Sequence, residues 1–465
     1  MYCNRTVSFA AAAGFLILTL LHPAVRANDR KPSPRPLGDD IPAVQAHSTR
    51  LHTPDIPGAT EPDGPLTLRK ALILALGKNP GLAASAWEIR AAEARMLQAG
   101  LLPNPEIKME LEEFGGSGDL SGFDNSAQTL RVSQLIELGG KRGTRRRLAE
   151  LNMHLASWDY ELDRLTVFTQ TALAFIDLLA AQEQKKLADM FQRLSDRNYN
   201  AVVDEVTAGK ASPLDKLKAA VEKGNSRIDS ENAARQRNAL RVRLSATWGN
   251  TRPLFTAVQG NLEYVIDIPP FDRIQRYIRQ NPQIARWSEE MNARLKALAL
   301  ERRSRIPDLT LNAGLKRFNE SKNHSFVIGL GFSLPLFDRN QGNIREAESR
   351  IAQTRANKKR AELAVTSELR VSYEALMAAS REVTILKKEI LPAAEAAFAA
   401  AREGYKKGKF RYLELLDAQR TLFRTKSRYV DALASFHRAV VVVESLIGIK
   451  IEDIQNNHPA RNKGE

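Results

Sequence analysis

The sequence predicts a mainly α protein that carries a membrane β-barrel, built from a duplicated unit of helix, β-hairpin, long helix and helix. Three observations predict it. Landmarks recur at a nearly constant offset along the chain, two helix-forming stretches are far longer than a globular domain uses, and four runs of about ten residues alternate apolar with small or polar positions.

The duplication comes first because a duplicated chain has a duplicated architecture. "KNPGLAAS" (Lys78 to Ser85) answers "QNPQIARW" (Gln280 to Trp287), and Leu102-Pro103 answers Ile306-Pro307. Ser133 answers Ser333, and "AGKASPL" (Ala208 to Leu214) answers "KGKFRYL" (Lys407 to Leu413). The offsets are 202, 204, 200 and 199 residues.

Each repeat reads in the same order. A helix is predicted over Thr67 to Gly100 and over Phe271 to Ser304, ending near a proline. Two strands follow, "EIKMELEE" with "AQTLRVSQLI", and "DLTLNAGLKR" with "SFVIGLGFSL". A long helix then runs from Gly143 to Gly209 and from Gly342 to Gly408, 66 residues of separation in both. At 1.5 Å per residue it reaches roughly 100 Å. A last helix runs to Trp248 or Ile447, each followed by a glycine suited to the C-cap, Gly249 or Gly448. The two shorter helices together match the long one in length, so end to end they can cover it as a coiled partner. "AELAVTSELRVSYEALMAAS" (Ala361 to Ser380) supplies apolar seams at three- and four-residue spacing. Pro392 falls inside the second long helix, where a bend is expected.

In the strands, Leu309, Leu311, Ala313 and Leu315 alternate with Thr310, Asn312, Gly314 and Lys316. Phe326, Ile328, Leu330 and Phe332 alternate with Val327, Gly329, Gly331 and Ser333. An ordinary half-buried hairpin of a soluble domain shows the same alternation. Four strands cannot close a barrel with a polar interior, and edges exposed to lipid are forbidden, so a membrane barrel here requires several chains. In "SQLIELGGKRG" (Ser133 to Gly143) the strand breaks on two glycines, whose backbone freedom suits an abrupt passage from membrane strand to periplasmic helix. "SLPLFDRNQG" (Ser333 to Gly342) does much the same. Lys141, Arg142, Arg145, Arg146 and Arg147 then fall where lipid headgroups would lie, or in a solvated first turn.

The first residues point to the compartment. Arg5 followed by "VSFAAAAGFLILTLL" and "AVRA" reads as a cleaved secretory signal over residues 1–27. Cys3, the single cysteine, leaves with it, so the mature chain has no disulfide and no acylatable N-terminal cysteine. Removing Arg5 and Arg26 leaves 67 basic against 54 acidic residues, an excess of +13. In an exported protein such a charge favours anionic headgroups or a protein partner over nucleic acid, although long solvated helices also carry many charges. Residues 28–65 are proline-rich and read as an extended arm. After the signal no unbroken apolar run of eighteen residues is found, so no membrane-spanning helix is expected.

Enzyme chemistry is not encoded. No zincin pattern, phosphate loop or nucleophile elbow occurs, and the Gly-Lys pairs at Gly77, Gly140, Gly209 and Gly408 are never followed by Ser or Thr. His47, His52, His154, His324, His437 and His458 are scattered singly, without ligand spacing, and the methionines read as packing residues. No cofactor or metal site is expected.

From Leu66 to about Ile451 the chain resembles the TolC-like outer-membrane factors, the exit ducts of tripartite efflux pumps. "SQLIELGGKR" resembles the branch serving cobalt–zinc–cadmium and copper–silver resistance. The resemblance implies a homotrimer with a 12-stranded β-barrel in the outer membrane and a long periplasmic α-helical barrel. Its implied partners are a periplasmic adaptor, an inner-membrane proton-driven pump and outer-membrane lipid. It divides the chain into a first repeat, 66–260, a second, 261–451, and a tail, 452–465. It also implies a periplasmic gate on "GKFRYLELLDAQR", with Leu413, Asp417 and Arg420 at the constriction. Their spacing independently puts all three on one helical face, about 13 Å above the turn at Gly408. Leu413 in a packing seam and Asp417–Arg420 as a surface ion pair is the plainer alternative. Leu214, Lys218 and Val221 align in the first repeat and lack the acid. The hairpin tips fall at Gly209, Lys210, Gly408 and Lys409, where an adaptor would make contact. A drug-efflux or type I protein-secretion duct, and a periplasmic coiled-coil scaffold outside any membrane, remain alternatives.

Overall fold

The computed structural model describes residues 60–456. The signal segment, residues 28–59 of the arm, and residues 457–465 lie outside the described residues. Strand β1 (Pro65–Thr67) leads into α1 (Leu68–Lys78) and α2 (Pro80–Ala99). Then come β2 (Glu106–Glu112), β3 (Ala127–Ile136), α3 (Lys141–Thr207) and α4 (Pro213–Ala246). Strand β4 (Ala257–Gln259) opens the second series, with α5 (Phe271–Gln275), α6 (Pro282–Arg303), β5 (Leu309–Phe318) and β6 (His324–Phe332). The chain continues through α7 (Gln341–Ile385), α8 (Leu391–Lys406), α9 (Tyr412–Ile447) and α10 (Ile451–Asn456).

The helices lie side by side in a fixed order. At one end α2 packs on α3, α3 on α6, and α6 on α7; at the other, α4 packs on α3, α3 on α9, and α9 on α7 and α8. The long helix α3, 67 residues, is thus the common spine. One window of α3 is apolar enough by composition to cross a membrane, but 67% of it is buried inside the protein, as a core helix requires. Its middle, around Phe175, Leu178 and Leu179, meets α1, the upper part of α9 and Phe255, Val258 and Leu262 in the main core. Parallel pairing of β1 with β4 closes that core, and Glu61 accepts hydrogen bonds from Leu254 N (2.6 Å) and Asn250 Nδ2 (2.6 Å) beside it.

The helix expected over Thr67 to Gly100 is broken at Asn79, and its counterpart at Asn281, because Asn-Pro ends one helix and starts the next. Asn79 accepts from Leu82 N (2.9 Å) with Pro80 in the first turn; Asn281 accepts from Gln283 N (2.7 Å) with Pro282 in the same place. Each amide also donates across the fold, Asn79 to Thr247 O (2.8 Å) and Asn281 to Leu446 O (2.8 Å). One residue type therefore caps a helix and ties it to the end of α4 or α9. Asn281 is fully buried, and Asn281→Ala should cost about 1–2 kcal/mol through the lost cap. A lowered thermal unfolding midpoint of the detergent-solubilised protein would register this; an unchanged midpoint would mean that the brace contributes nothing.

The disturbance expected at Pro392 sits just before it. Leu386–Ile390 is wound as a π-turn, and Pro392 falls in the first turn of α8. A wider turn shifts the preceding carbonyls, so the proline ring and its missing N–H are accommodated without ending the helix.

Candidate functional site

Strands β2, β3, β5 and β6 form one antiparallel sheet in that order, leaving β2 and β6 as open edges. Register places Met109, Leu130, Leu315 and Phe326 on one rung and Ile107, Val132, Ala313 and Ile328 on another, all on one face. Nearer the helices, Leu311 opposes Leu330, and Ile136, Leu309 and Phe332 share the last rung. This face is uncovered: Phe326 is 85% and Ile328 78% exposed. It turns largely polar at the far end, where Gln128, Arg317 and His324 align beside Leu111 of β2.

The other face is polar and internally cross-linked. Ser133 Oγ donates to Asn312 Oδ1 (2.6 Å), Lys316 pairs with Glu112 (2.8 Å) and Arg131 with Glu110 (3.4 Å). Apart from Gln134, which shares the rung of Leu311, the exposed face is apolar up to that far end. Such a face backed by a hydrogen-bonded polar one is stable in water only if it is covered by lipid or protein.

At the junction of sheet and helices, Gly139 and Gly140 both have φ near +70°, and Asn340 takes the matching left-handed position before α7. The basic cluster predicted at headgroup level is partly committed within the chain. Lys141 pairs with Asp308 (2.8 Å), Arg147 with Glu150 (2.9 Å), and Arg145 grips both oxygens of Glu137 (2.6 and 2.9 Å). The Lys141 and Arg145 pairs fix the strand ends to the first turns of α3 while Arg147 pairs within the helix, so only Arg142 and Arg146 of that cluster remain exposed without an ion pair among the described residues.

At the opposite end, Gly209 and Gly408 stand at φ +72° and +69° in equivalent turns. Lys210 N bonds Glu205 O (2.8 Å), and Lys409 N bonds Gly404 O (2.8 Å), the six-to-one bond of a Schellman motif that only a left-handed residue permits. Lys210 and Lys409 are exposed at these turns. Above them Val202, Ala219, Tyr412, Leu415 and Leu416 form a small separate core. Burial pushes the Tyr412 phenol up to about 12, and burial and the bond to Glu205 push the Tyr405 phenol higher still, so both stay protonated and Tyr405 donates to Glu205.

Leu413, Asp417 and Arg420 all lie on the exposed face of α9. Leu413 is 53% exposed, so it does not fill an intramolecular seam. The expected Asp417–Arg420 pair is corrected by the structure: Arg420 reaches across to Glu222 of α4, with Nε at 2.9 Å and a second bond from Nη2. Glu222 is buried and in direct contact, and those hydrogen bonds hold the guanidinium charged, whereas Asp417 acts on it only as a more distant charge. Helical geometry along α9 could not reveal a partner contributed by α4. The available signal was the repeat alignment, in which Arg420 matches Val221 and the acid stands one residue further on. Next along the same interface, Asn198 bonds Gln419, which donates to Ser195 (3.3 Å). Ser195, Ser226 and Ser230 are buried in the same helix contacts. The lower part of α9 is therefore held by the small apolar core together with polar bonds to α3 and α4, and its upper part by apolar packing around Phe436 and Val443.

Comparison with known proteins agrees with this arrangement. Residues 71–250 and 274–449 each match the family model described as outer membrane efflux protein. The cobalt-zinc-cadmium resistance protein CzcC of Cupriavidus metallidurans is 36% identical over 392 residues, covering 83% of this chain and 91% of that protein. The nickel and cobalt resistance protein CnrC of the same organism is 29% identical over 64% of this chain and 69% of its own length. The Campylobacter jejuni CmeC outer membrane channel shares the fold at a TM-score of 0.70 and 18% identity, over 84% of this chain and 88% of that one. The two family matches, one on each repeated series of elements, and the CzcC similarity over nearly the full length together establish that this chain belongs to the outer membrane efflux protein family.

Proposed function

We propose that three copies of the chain close a 12-stranded barrel and a periplasmic helical barrel into a passive duct for heavy-metal cations, gated at the periplasmic tip. As an outer membrane efflux protein, the chain is a transport duct of the outer membrane and not an enzyme. The observation that carries the assembly is the sheet, whose apolar face is bare and whose edges β2 and β6 are unpaired. In a bilayer open edges are untenable, so β2 of one copy pairs with β6 of the next. The helices present the same two free sides, α2 and α4 on one and α7 and α8 on the other.

The cargo reading rests on the resistance functions carried in the names of CzcC and CnrC. Deleting the chain from its host should sensitise cells to cobalt, zinc or cadmium, with complementation restoring growth. Unchanged metal tolerance alongside hypersensitivity to drugs, or loss of a secreted protein, would reassign the cargo. An inner-membrane proton-driven pump and a periplasmic adaptor are the partners implied by the resemblance to the exit ducts of tripartite efflux pumps.

The adaptor meets the two tips at Gly209–Lys210 and Gly408–Lys409, where Lys406, Lys407 and Arg411 add positive charge. Photocrosslinkers at positions 210 and 409 are expected to capture the adaptor in cells, and capture only from positions high on α3 would move the contact. The gate is formed by Leu413, Asp417 and Arg420 around the three-fold axis. The Arg420–Glu222 contact clasps α9 to α4 in the closed form, and the polar interface above it can exchange partners as the helices shift.

A further inference from the structure

The junction below the sheet carries more positive charge than the chain itself neutralises. The ends of α2 and α6 and the starts of α3 and α7 meet there. Arg145 bonds Ala99 O (3.1 Å), Arg303 bonds Gly140 O (3.0 Å) and Asn340 bonds Glu301 O (2.8 Å). Glu137, Asp308, Glu150 and Glu348 are already paired with Arg145, Lys141, Arg147 and Arg302. Arg142, Arg146, Arg305 and Arg345 are exposed and form no ion pair among the described residues. Cations in the first turns of α3 also oppose the helix dipole, so they do not serve the stability of that helix.

Past β6, the segment that leads into α7 stays apolar and exposed. Phe337 is 91%, Leu334 67% and Leu336 61% exposed, between Phe332 on the last rung of the sheet and the start of α7 that carries Arg345. An apolar and aromatic band edged by unneutralised arginines matches the boundary of a bilayer, with acyl chains against the band and phosphates against the guanidinium groups.

We propose that this collar is a binding surface for anionic phospholipid headgroups. Arg142, Arg146, Arg305 and Arg345 contact the phosphates, and Leu334, Leu336 and Phe337 sit in the acyl boundary. The proposal rests on the membrane-duct reading and adds the lipid class. A neighbouring copy would meet this surface head to tail with an unlike face, and such a contact would show as loss of the oligomer in the arginine variant with lipid preference unchanged. Phosphate supplies the missing charge and accepts guanidinium hydrogen bonds in pairs.

The test uses full-length protein extracted in mild detergent and placed in nanodiscs of phosphatidylglycerol and phosphatidylethanolamine, with retained lipid counted after delipidation. Wild type should retain phosphatidylglycerol preferentially. The variant R142Q/R146Q/R305Q/R345Q should lose that preference by about tenfold or more. The variant R355Q/K359Q/R360Q/R402Q, which removes the same charge from α7 and α8, should keep it. Equal retention of both lipids by wild type, full preference in the first variant, or equal loss in both variants would each overturn the proposal. So would unchanged preference in the first variant accompanied by altered ion conductance, which would place these arginines in the duct. Failure of wild type to enter nanodiscs at all would instead strike the membrane-duct reading, and this inference with it.

Discussion

Replacing both Leu311 and Ile328 by Arg is expected to abolish outer-membrane assembly of the chain. Both side chains lie on the bare apolar face, Ile328 opposite Ala313 on its middle rung and Leu311 opposite Leu330 on the next rung toward the helices. An Arg at the midplane of a membrane barrel costs about 2–4 kcal/mol, and the two positions are on adjacent strands of one face, where their charges also repel. Lysine or arginine near the strand ends would be far cheaper, since the side chain can reach the headgroups. Membrane fractionation and native electrophoresis of the double variant read the outcome directly. Normal amounts of membrane-inserted oligomer would refute a lipid-facing sheet and favour a scaffold that never enters a bilayer.

Opening the proposed gate should give the second large effect. In the proposed trimer three copies of Asp417 would approach the axis, where like charges repel unless cations, water or neighbouring guanidinium groups compensate. Arg420 is committed to Glu222, so it holds α9 in place while leaving the Asp417 carboxylate free to face the opening. Removing Glu222 would leave that clasp open, and removing Leu413 would take away the apolar stopper beside it. Glu222→Gln and Leu413→Ala are expected to raise single-channel conductance in planar bilayers severalfold. Asp417→Ala should reduce the preference for cations over anions. Intact oligomers with unchanged conductance and selectivity in all three variants would place the constriction elsewhere and leave Asp417 as an ordinary surface carboxylate.

Features set by local spacing were legible in the sequence. The ten-residue strand Ala127–Ile136, the 67-residue helix α3, the glycine turns at positions 209 and 408, and the exposed face shared by Leu413, Asp417 and Arg420 all follow from periodicity, helix length or a required positive φ. Such features depend on neighbours within a few positions, and the chain states those directly. Helix breaks were less legible. The Asn79-Pro80 and Asn281-Pro282 steps were in view, yet their role as cross-braces needed carbonyl partners 168 and 165 residues away.

Only the tertiary structure decided which charges find each other. Arg420 bonds Glu222, 198 residues distant, instead of the carboxylate one turn behind it, and Lys141 finds Asp308 from the other repeat. Long side chains at three- and four-residue spacing reach one another weakly through water, whereas a buried carboxylate across a packed interface has no alternative partner and therefore captures the guanidinium. The sequence by itself determined the duplicated elements and the two faces of the sheet; helix packing determined which acid each base could reach, because burial rather than proximity along the chain sets the strength of a charge pair.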